Sequence, residues 1–156
     1  KIIAKKLQRD IVEIDDLVVA RAGISIAEMV EKFGWEYFRD LESEVLKEIE
    51  DCKNCVVSTG GGVVMRTENI EALKKNGFLI LLTARIDSMM ERIGEGSIRP
   101  SLTEKKSMRE EVVEILEMRK AMYESACDMR VATDNLPPDA VADEIMKIIT
   151  EKIYEA

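Results

Sequence analysis

The sequence contains no histidine among its 156 residues. Histidine is the side chain that most readily exchanges a proton near neutral pH, and it is also a common metal ligand. Its absence excludes a Ser-His-Asp triad, a histidine metal site and a histidine general base. Any proton transfer must therefore use a carboxylate, Lys, Tyr or Cys.

Positive charge is also scarce, with 23 Lys and Arg against 31 Asp and Glu and a formal net charge of −8. This balance argues against nucleic acid or an anionic membrane as a partner. No apolar run approaches the ~18 residues that a membrane span requires, and the cytoplasm is the predicted compartment. An acidic protein that binds an anionic substrate needs a local cluster of Arg or Lys.

Aromatic residues and cysteines are few, at 4% and three residues. The core must therefore be built from Ile, Val, Leu and Met. Cys52 and Cys55 have the spacing of a redox or metal pair. Because neither a second pair nor a histidine is present to complete a zinc site, the predicted role of both cysteines is structural.

Short apolar strands alternate with amphipathic helices along the chain. The strand candidates are residues 11–14, 55–58, 78–83 and 129–132. This alternation predicts an α/β fold with a parallel sheet flanked by helices on both faces. Ligands of such sheets bind at the carboxyl ends of the strands, so the residues that follow each strand are the site candidates.

Three glycines, Gly60, Gly61 and Gly62, follow the strand candidate at 55–58. Their backbone N–H groups can be approached by a polar ligand without steric hindrance. The alternative is a flexible turn from strand to helix, because glycine is common in both settings.

Asp15 follows the first strand candidate. A carboxylate at this position can orient a substrate hydroxyl and take its proton, as the catalytic Asp of kinases does. The alternative is that Asp15 is the N-cap of the next helix.

Four arginines lie outside the regular amphipathic pattern: Arg39, Arg92, Arg99 and Arg119. Surface arginines are usually solvated or paired with Glu, which is the alternative for each of them. As a set in an acidic protein, they indicate binding of anions.

Four motifs in this order resemble those of the shikimate kinase family across essentially the whole chain. They are Glu13-Ile-Asp15-Asp16, Phe38-Arg39-x-x-Glu42, Ser58-Thr-Gly-Gly-Gly62, and Arg99-Pro100 followed by Arg119-x-x-x-Tyr123. The resemblance implies a P-loop NTP hydrolase fold of the nucleoside-monophosphate-kinase type. It implies one kinase domain over residues 1–156, with a mobile lid at 94–107. The implied reaction is phosphorylation of the 3-hydroxyl of shikimate by ATP with Mg²⁺, in aromatic amino acid biosynthesis.

The resemblance also implies roles in binding shikimate. Asp15 is expected to bind the hydroxyls and accept the proton, and Arg39 and Arg119 are expected to grip the carboxylate. The backbone of residues 60–62 is expected to line the ring. Glu42 matches a family Glu that holds a substrate arginine in place.

Further implied roles concern ATP and the metal ion. Arg99, in the lid, is expected to reach the ATP phosphates, while Arg92 and Pro138 are expected to sandwich the adenine. Glu13 stands where the family usually has Asp next to Mg²⁺, so it is a weak candidate ligand. The main ligand is expected in a P-loop upstream of the chain.

Lys1 lies inside a helical pattern with no N-cap before it. In the family, the P-loop leads directly into such a helix. We therefore expect the central strand of a five-stranded sheet and a Gly-x-x-x-x-Gly-Lys-[Ser/Thr] loop within about 20 residues upstream.

Two alternative functions stay open at this point. One is another P-loop small-molecule kinase, such as a gluconate kinase, which would not need paired arginines at 39 and 119. The other is a non-enzymatic shikimate-kinase-like protein that binds ligand without turnover. A monomer is expected in each case.

Overall fold

The computed structural model describes residues 1–94 and 107–155, with side chains described up to residue 151. Its helices are α1 (Ile2–Leu7), α2 (Ile14–Ala22), α3 (Ile26–Ile49), α4 (Thr67–Asn76), α5 (Ile86–Ile93), α6 (Met108–Ala126) and α7 (Pro138–Glu155). Its strands are β1 (Asp10–Glu13), β2 (Cys55–Ser58), β3 (Ile80–Thr83) and β4 (Met129–Ala132), and a 3₁₀ turn spans Val63–Met65. The predicted lid, apart from its end residues Gly94 and Ser107, lies outside the described residues, as does Arg99. No helix in the described ranges is long and apolar enough to cross a membrane.

The strands form two parallel pairs, β1 with β2 and β3 with β4. In the first pair Glu13 lies opposite Ser58, and in the second Thr83 lies opposite Ala132. Parallel strands with intervening helices confirm the predicted α/β class. The resemblance implies a fifth, central strand that is not among these four, and the four described strands pair two by two.

Helix α3 is divided by Gly34. Gly34 has φ 82° and ψ 172°, a backbone conformation that residues other than glycine rarely adopt. The helix begins where the Ser25 hydroxyl accepts a hydrogen bond from the Glu28 N–H at 3.2 Å. Beyond the kink, buried side chains recur at helical spacing at Phe38, Val45 and Leu46, so this half of the helix has a defined inner face.

Two hydrophobic clusters lie beside the two strand pairs. The first is built from Ile14, Val18, Met29, Phe38, Val45, Leu46 and Val63. The second is built from Val131, Val141 and Ile145, with Ile3 and Ile80 packed against it. Helix α1 contacts β1, β2 and α7, so it joins the two halves. Full burial of each large aliphatic or aromatic side chain stabilises such a core by about 1.5–3 kcal/mol.

Two of the four predicted strands, at 11–14 and 78–83, have ends that are wrong by one or two residues. Helix α4 begins at Thr67 with Arg66 as its N-cap, and α5 begins at Ile86 with Arg85 as its N-cap. Thr67 and Asp87, which are residue types that often cap helices, are therefore not the N-caps here. Strand β3 begins at Ile80 because the residue before it donates its N–H to the Asp128 carboxylate instead.

Candidate active site

Asp15 and Gly60 lie together at the carboxyl edge of β1 and β2. Because Glu13 pairs with Ser58, strands β1 and β2 end at the same level of the sheet. A Cβ built on Gly60 would lie 3.4 Å from Asp15 Oδ1 and 3.6 Å from Glu42 Oε1. A side chain at Gly60 would thus be in van der Waals contact with both carboxylates, so the glycine segment runs directly beside them.

Asp15 is not the N-cap of α2, which is the role that Glu13 takes. It lies in the first turn of the helix, where a carboxylate is favoured by the helix dipole. Its Oδ1 is buried and has no hydrogen-bond partner among the described residues. The N-cap alternative is thus wrong, and this oxygen has unused hydrogen-bonding capacity.

Arg39 is held by Glu42 one turn further along α3. Arg39 Nη1 donates to Glu42 Oε2 at 2.6 Å, and the two side chains are 13% and 0% exposed. The guanidinium carbon also lies 4.9 Å from the ring centroid of Phe38, within the range of a cation–π contact. These contacts fix the direction of the guanidinium before any ligand binds.

Burial raises the pKa of Glu42, and the neighbouring Asp15 carboxylate raises it further, while Arg39 and Arg119 act in the opposite direction. The folded chain therefore binds the Glu42 proton more tightly than the unfolded chain does. At pH values between the pKa of Glu42 in the unfolded chain and its raised pKa in the folded chain, the free energy of unfolding falls as pH rises.

We expect Glu42→Gln to remove this pH dependence. The difference in unfolding free energy, variant minus parent, should grow as pH rises above the ordinary carboxyl pKa of 4.5. Urea denaturation of both proteins at a series of pH values measures it. A difference that shrinks with rising pH contradicts the assignment.

Gly62 brings the glycine segment against Arg39. A Cβ built on Gly62 would overlap the Arg39 guanidinium, so a larger residue there requires the arginine to move. The segment then turns sharply, because Val63 N–H donates to Gly60 O at 3.2 Å and Met65 N–H donates to Gly62 O at 3.0 Å. The glycines are thus an ordered segment in contact with the arginine, which favours the ligand-loop interpretation over a flexible turn.

Helix α6 also contacts the glycine segment. Tyr123 Oη donates to Gly61 O at 2.7 Å, and the helix also contacts the 3₁₀ turn. Arg119 lies one helical turn before Tyr123 and influences Glu42 electrostatically. Its Nε is buried and has no hydrogen-bond partner within the described ranges.

Three buried side-chain atoms without a partner are found in the part of the chain that the structure describes: Asp15 Oδ1, Glu42 Oε1 and Arg119 Nε. All three belong to the groups around the glycine segment. Buried polar atoms are nearly always hydrogen-bonded, and each exception calls for an explanation. A polar ligand with both hydroxyl and anionic groups would satisfy the two carboxylate acceptors and the guanidinium donor.

Arg66 is a site-adjacent residue that the sequence analysis missed. It follows the 3₁₀ turn and donates to Arg39 O at 3.1 Å and to Ser43 Oγ at 3.3 Å. It also pairs with Glu36 at 2.9 Å and Asp40 at 2.6 Å. A cation at a helix N-terminus opposes the helix dipole, and that signal could have singled it out.

The second strand pair positions Arg92. Its Nη1 donates to Thr133 Oγ1 at 2.7 Å and its Nη2 to Thr133 O at 2.6 Å. Thr133 in turn donates from Oγ1 to Thr83 O at 3.0 Å. Arg92 therefore lies at the carboxyl edge of β3 and β4, and the exposed Pro138 begins α7 shortly after that edge.

Glu13 forms an ion pair with Lys1 at 2.9 Å. Among the described residues, no group of three or more Cys, Asp or Glu side chains is arranged to hold a metal ion. The described residues therefore do not form an all-protein metal cage, but Mg²⁺ in kinases is usually held by only one or two carboxylates together with water and substrate phosphates, a role that Glu13 could fill.

Cys52 and Cys55 are free thiols. Burial, reinforced by the neighbouring Cys52, raises the pKa of Cys55 to about 11. A thiol that stays protonated near neutrality is a poor nucleophile and metal ligand, in keeping with the structural role predicted for the pair.

The chain is similar to known proteins in both sequence and structure. The family model described as shikimate kinase matches residues 1–150. The shikimate kinase of Thermodesulfovibrio yellowstonii is 40% identical over 147 residues, which are 94% of this chain and 84% of that protein. The shikimate kinase of Caldicellulosiruptor bescii is 33% identical over 148 residues, 95% of this chain and 85% of that one.

Solved structures agree with this result. Shikimate kinase from Acinetobacter baumannii in complex with shikimate superposes with a TM-score of 0.90 at 25% identity, covering 97% of this chain and 84% of that one. Shikimate kinase from Aquifex aeolicus superposes with a TM-score of 0.80 at 31% identity, covering 97% and 87%. The fold, the sequence and the family model lead to one assignment: this chain belongs to the shikimate kinase family.

Proposed function

We propose that this chain transfers the γ-phosphoryl group of ATP to the 3-hydroxyl of shikimate and so serves aromatic amino acid biosynthesis. Its family consists of phosphotransferases that act on a shikimate hydroxyl. The observation that carries the proposal is the set of buried, unpartnered polar atoms on Asp15, Glu42 and Arg119 around the glycine segment.

The carboxylate of shikimate would be bound by Arg39 and Arg119. The planar guanidinium matches a carboxylate with two parallel hydrogen bonds, whereas Lys offers only a point charge. Arg39 still has donors beyond the one directed at Glu42 Oε2, and Arg119 has an unpartnered buried Nε. The carboxylate of the substrate would therefore accept charge-assisted hydrogen bonds from these desolvated guanidinium donors.

The hydroxyls of shikimate would be bound by Asp15 and by the backbone of residues 60–62. Asp15 Oδ1 is an unpartnered acceptor that lies beside Gly60. From there it would orient the reacting hydroxyl and accept its proton as the phosphoryl group is transferred. Phosphoryl transfer depends mainly on such positioning and on charge stabilisation.

Membership of a kinase family implies the use of ATP. We place its adenine at the carboxyl edge of β3 and β4, between Arg92 and Pro138. Arg92 is held there by Thr133 through two hydrogen bonds. Arg99, outside the described residues, stays the predicted contact to the phosphates, and Mg²⁺ stays a prediction to which Glu13 would contribute.

An acceptor screen with the full-length protein tests the proposal. Shikimate, quinate and gluconate are offered with MgATP, ADP release is followed, and the product is analysed by NMR for the position of the phosphate. We expect turnover with shikimate and phosphate on its 3-hydroxyl. Preference for gluconate would favour the other small-molecule kinase, and shikimate binding without turnover would favour the non-enzymatic alternative. A monomeric, cytoplasmic enzyme stays a prediction.

A further inference from the structure

We propose that Arg66 is a positioning residue that holds Arg39 in place to bind the carboxylate of shikimate. This inference rests on the proposed function, because it assigns Arg39 to the carboxylate of shikimate. Arg66 donates none of its described side-chain hydrogen bonds to residues 60–62. Its donors instead contact the turn of α3 that carries Arg39.

The contacts of Arg66 fall into two classes. Glu36 and Asp40 are 88% and 63% exposed, so their ion pairs with Arg66 are screened by solvent and contribute little. The bonds to Arg39 O and Ser43 Oγ are part-buried, and Ser43 is only 6% exposed. The second class fixes the backbone at the point where the Arg39 side chain begins.

The connection of Arg66 to the glycine segment is equally direct. Gly60 and Gly62 accept the hydrogen bonds that close the turn at Val63–Met65, and Arg66 is the next residue. Val63 is buried, and its carbonyl accepts from Asn69 Nδ2 at 3.4 Å. Arg66 thus connects the glycine segment to the turn of α3 that carries Arg39. It thereby sets the distance between the glycine backbone and the Arg39 guanidinium, which are the two groups that would contact shikimate.

The placement of Arg66 is unfavourable by itself. It is the N-cap of α4 and makes no side-chain capping bond, while its charge opposes the helix dipole. Its hydrogen bonds cross to a helix 23 to 27 positions earlier in the chain. The Arg66 side chain donates to a carbonyl and a hydroxyl and also pairs with two carboxylates. This set of contacts needs the planar guanidinium group, whose geometry a lysine ammonium does not reproduce.

The test is a double-mutant cycle read by calorimetric titration of shikimate into the full-length protein. Its four members are the parent, Arg66→Ala, Arg39→Lys and the double variant. Arg39→Lys keeps a cation beside Glu42 but removes the fork. We expect Arg66→Ala to weaken shikimate binding about tenfold in the parent, because small misplacements of a binding group have large effects. In the Arg39→Lys background the loss should shrink to less than about threefold, which is the coupling expected of residues that act through one another.

Lys75→Ala is the matched control. Lys75 also connects α4 with the region of α3, through Glu50 at 3.1 Å, but it does so at the far end of both helices. It should leave shikimate binding unchanged. ATP binding should stay unchanged in Arg66→Ala, and Arg66→Lys should recover only part of the affinity and serves as the test if the Ala variant fails to fold.

The outcomes distinguish a failure of the proposed function from a failure of the role assigned to Arg66. A parent that does not bind shikimate overturns the proposed function and this inference with it. A parent that binds shikimate, with no loss of affinity in Arg66→Ala or Arg66→Lys, overturns only the inference. An undiminished loss in the Arg39→Lys background also overturns it, because Arg66 would then act elsewhere.

Discussion

Replacing Asp15 with Asn is expected to lower kcat for shikimate phosphorylation by roughly 10²- to 10⁴-fold, the usual contribution of a general base. The amide has nearly the same shape and can still hydrogen-bond a hydroxyl, but it cannot accept the proton. Shikimate affinity should therefore change far less than kcat. Because Asp15 Oδ1 has no partner among the described residues, the substitution breaks no described hydrogen bond of that oxygen.

The matched control is Asp16→Asn. Asp16 is the next residue in the same first turn of α2, but it is exposed. Removing its charge changes the net charge of the protein by the same amount without touching the glycine segment. Steady-state kinetics on both variants decide the matter. Equal losses of kcat would show a general charge effect, and an active Asp15→Asn enzyme would remove Asp15 from catalysis.

Replacing Arg119 with Ala is expected to weaken shikimate binding by roughly 10- to 150-fold, since a charge-assisted hydrogen bond contributes about 1.5–3 kcal/mol and 1.4 kcal/mol is tenfold. Arg119 is a better choice than Arg39 for this test. Truncating Arg39 would leave the fully buried Glu42 without its cation, and breaking a buried pair can destabilise a protein by about 3–5 kcal/mol. No described hydrogen bond is lost from Arg119 Nε.

The control for Arg119 is its exposed neighbour Lys120 on the same helix. Lys120→Ala removes one positive charge from α6 without opening the glycine segment, so affinity should stay within about twofold of the parent, as for most surface substitutions. Arg119→Lys should restore only part of the loss. Calorimetric titration measures all three. A solvated surface arginine, the alternative from the sequence, would make Arg119→Ala indistinguishable from Lys120→Ala.

Local sequence patterns were sufficient for most of the fold. Buried strands stand out as short apolar runs, and β2 and β4 have the predicted ends. Gly34 marks the kink in α3 because no other residue type readily adopts its positive φ. The predicted end of the first strand is wrong, because Ile14 continues the apolar run of the sequence but is the first, fully buried residue of α2.

The assembly of the site could be predicted only in part. That Asp15 and the glycines meet follows from parallel strands ending at one edge, which sequence alternation already implies. That Arg66 supports Arg39 does not follow, because its partners lie 23 to 30 positions away and no local pattern connects them. The same limit applies to Arg119, whose approach to Glu42 depends on how α6 packs against the 3₁₀ turn.

The central claim is that the buried, unpartnered groups around the glycine segment form a site for the carboxylate and hydroxyls of shikimate. The most direct measurement is calorimetric titration of the unchanged full-length protein with shikimate and, separately, with its neutral carboxamide. The amide keeps the ring and hydroxyls but removes the charge that Arg39 and Arg119 would pair with. We predict that the acid binds at least about tenfold more tightly than the amide, the effect of losing one charge-assisted hydrogen bond. Equal affinities for the acid and the amide would contradict the account.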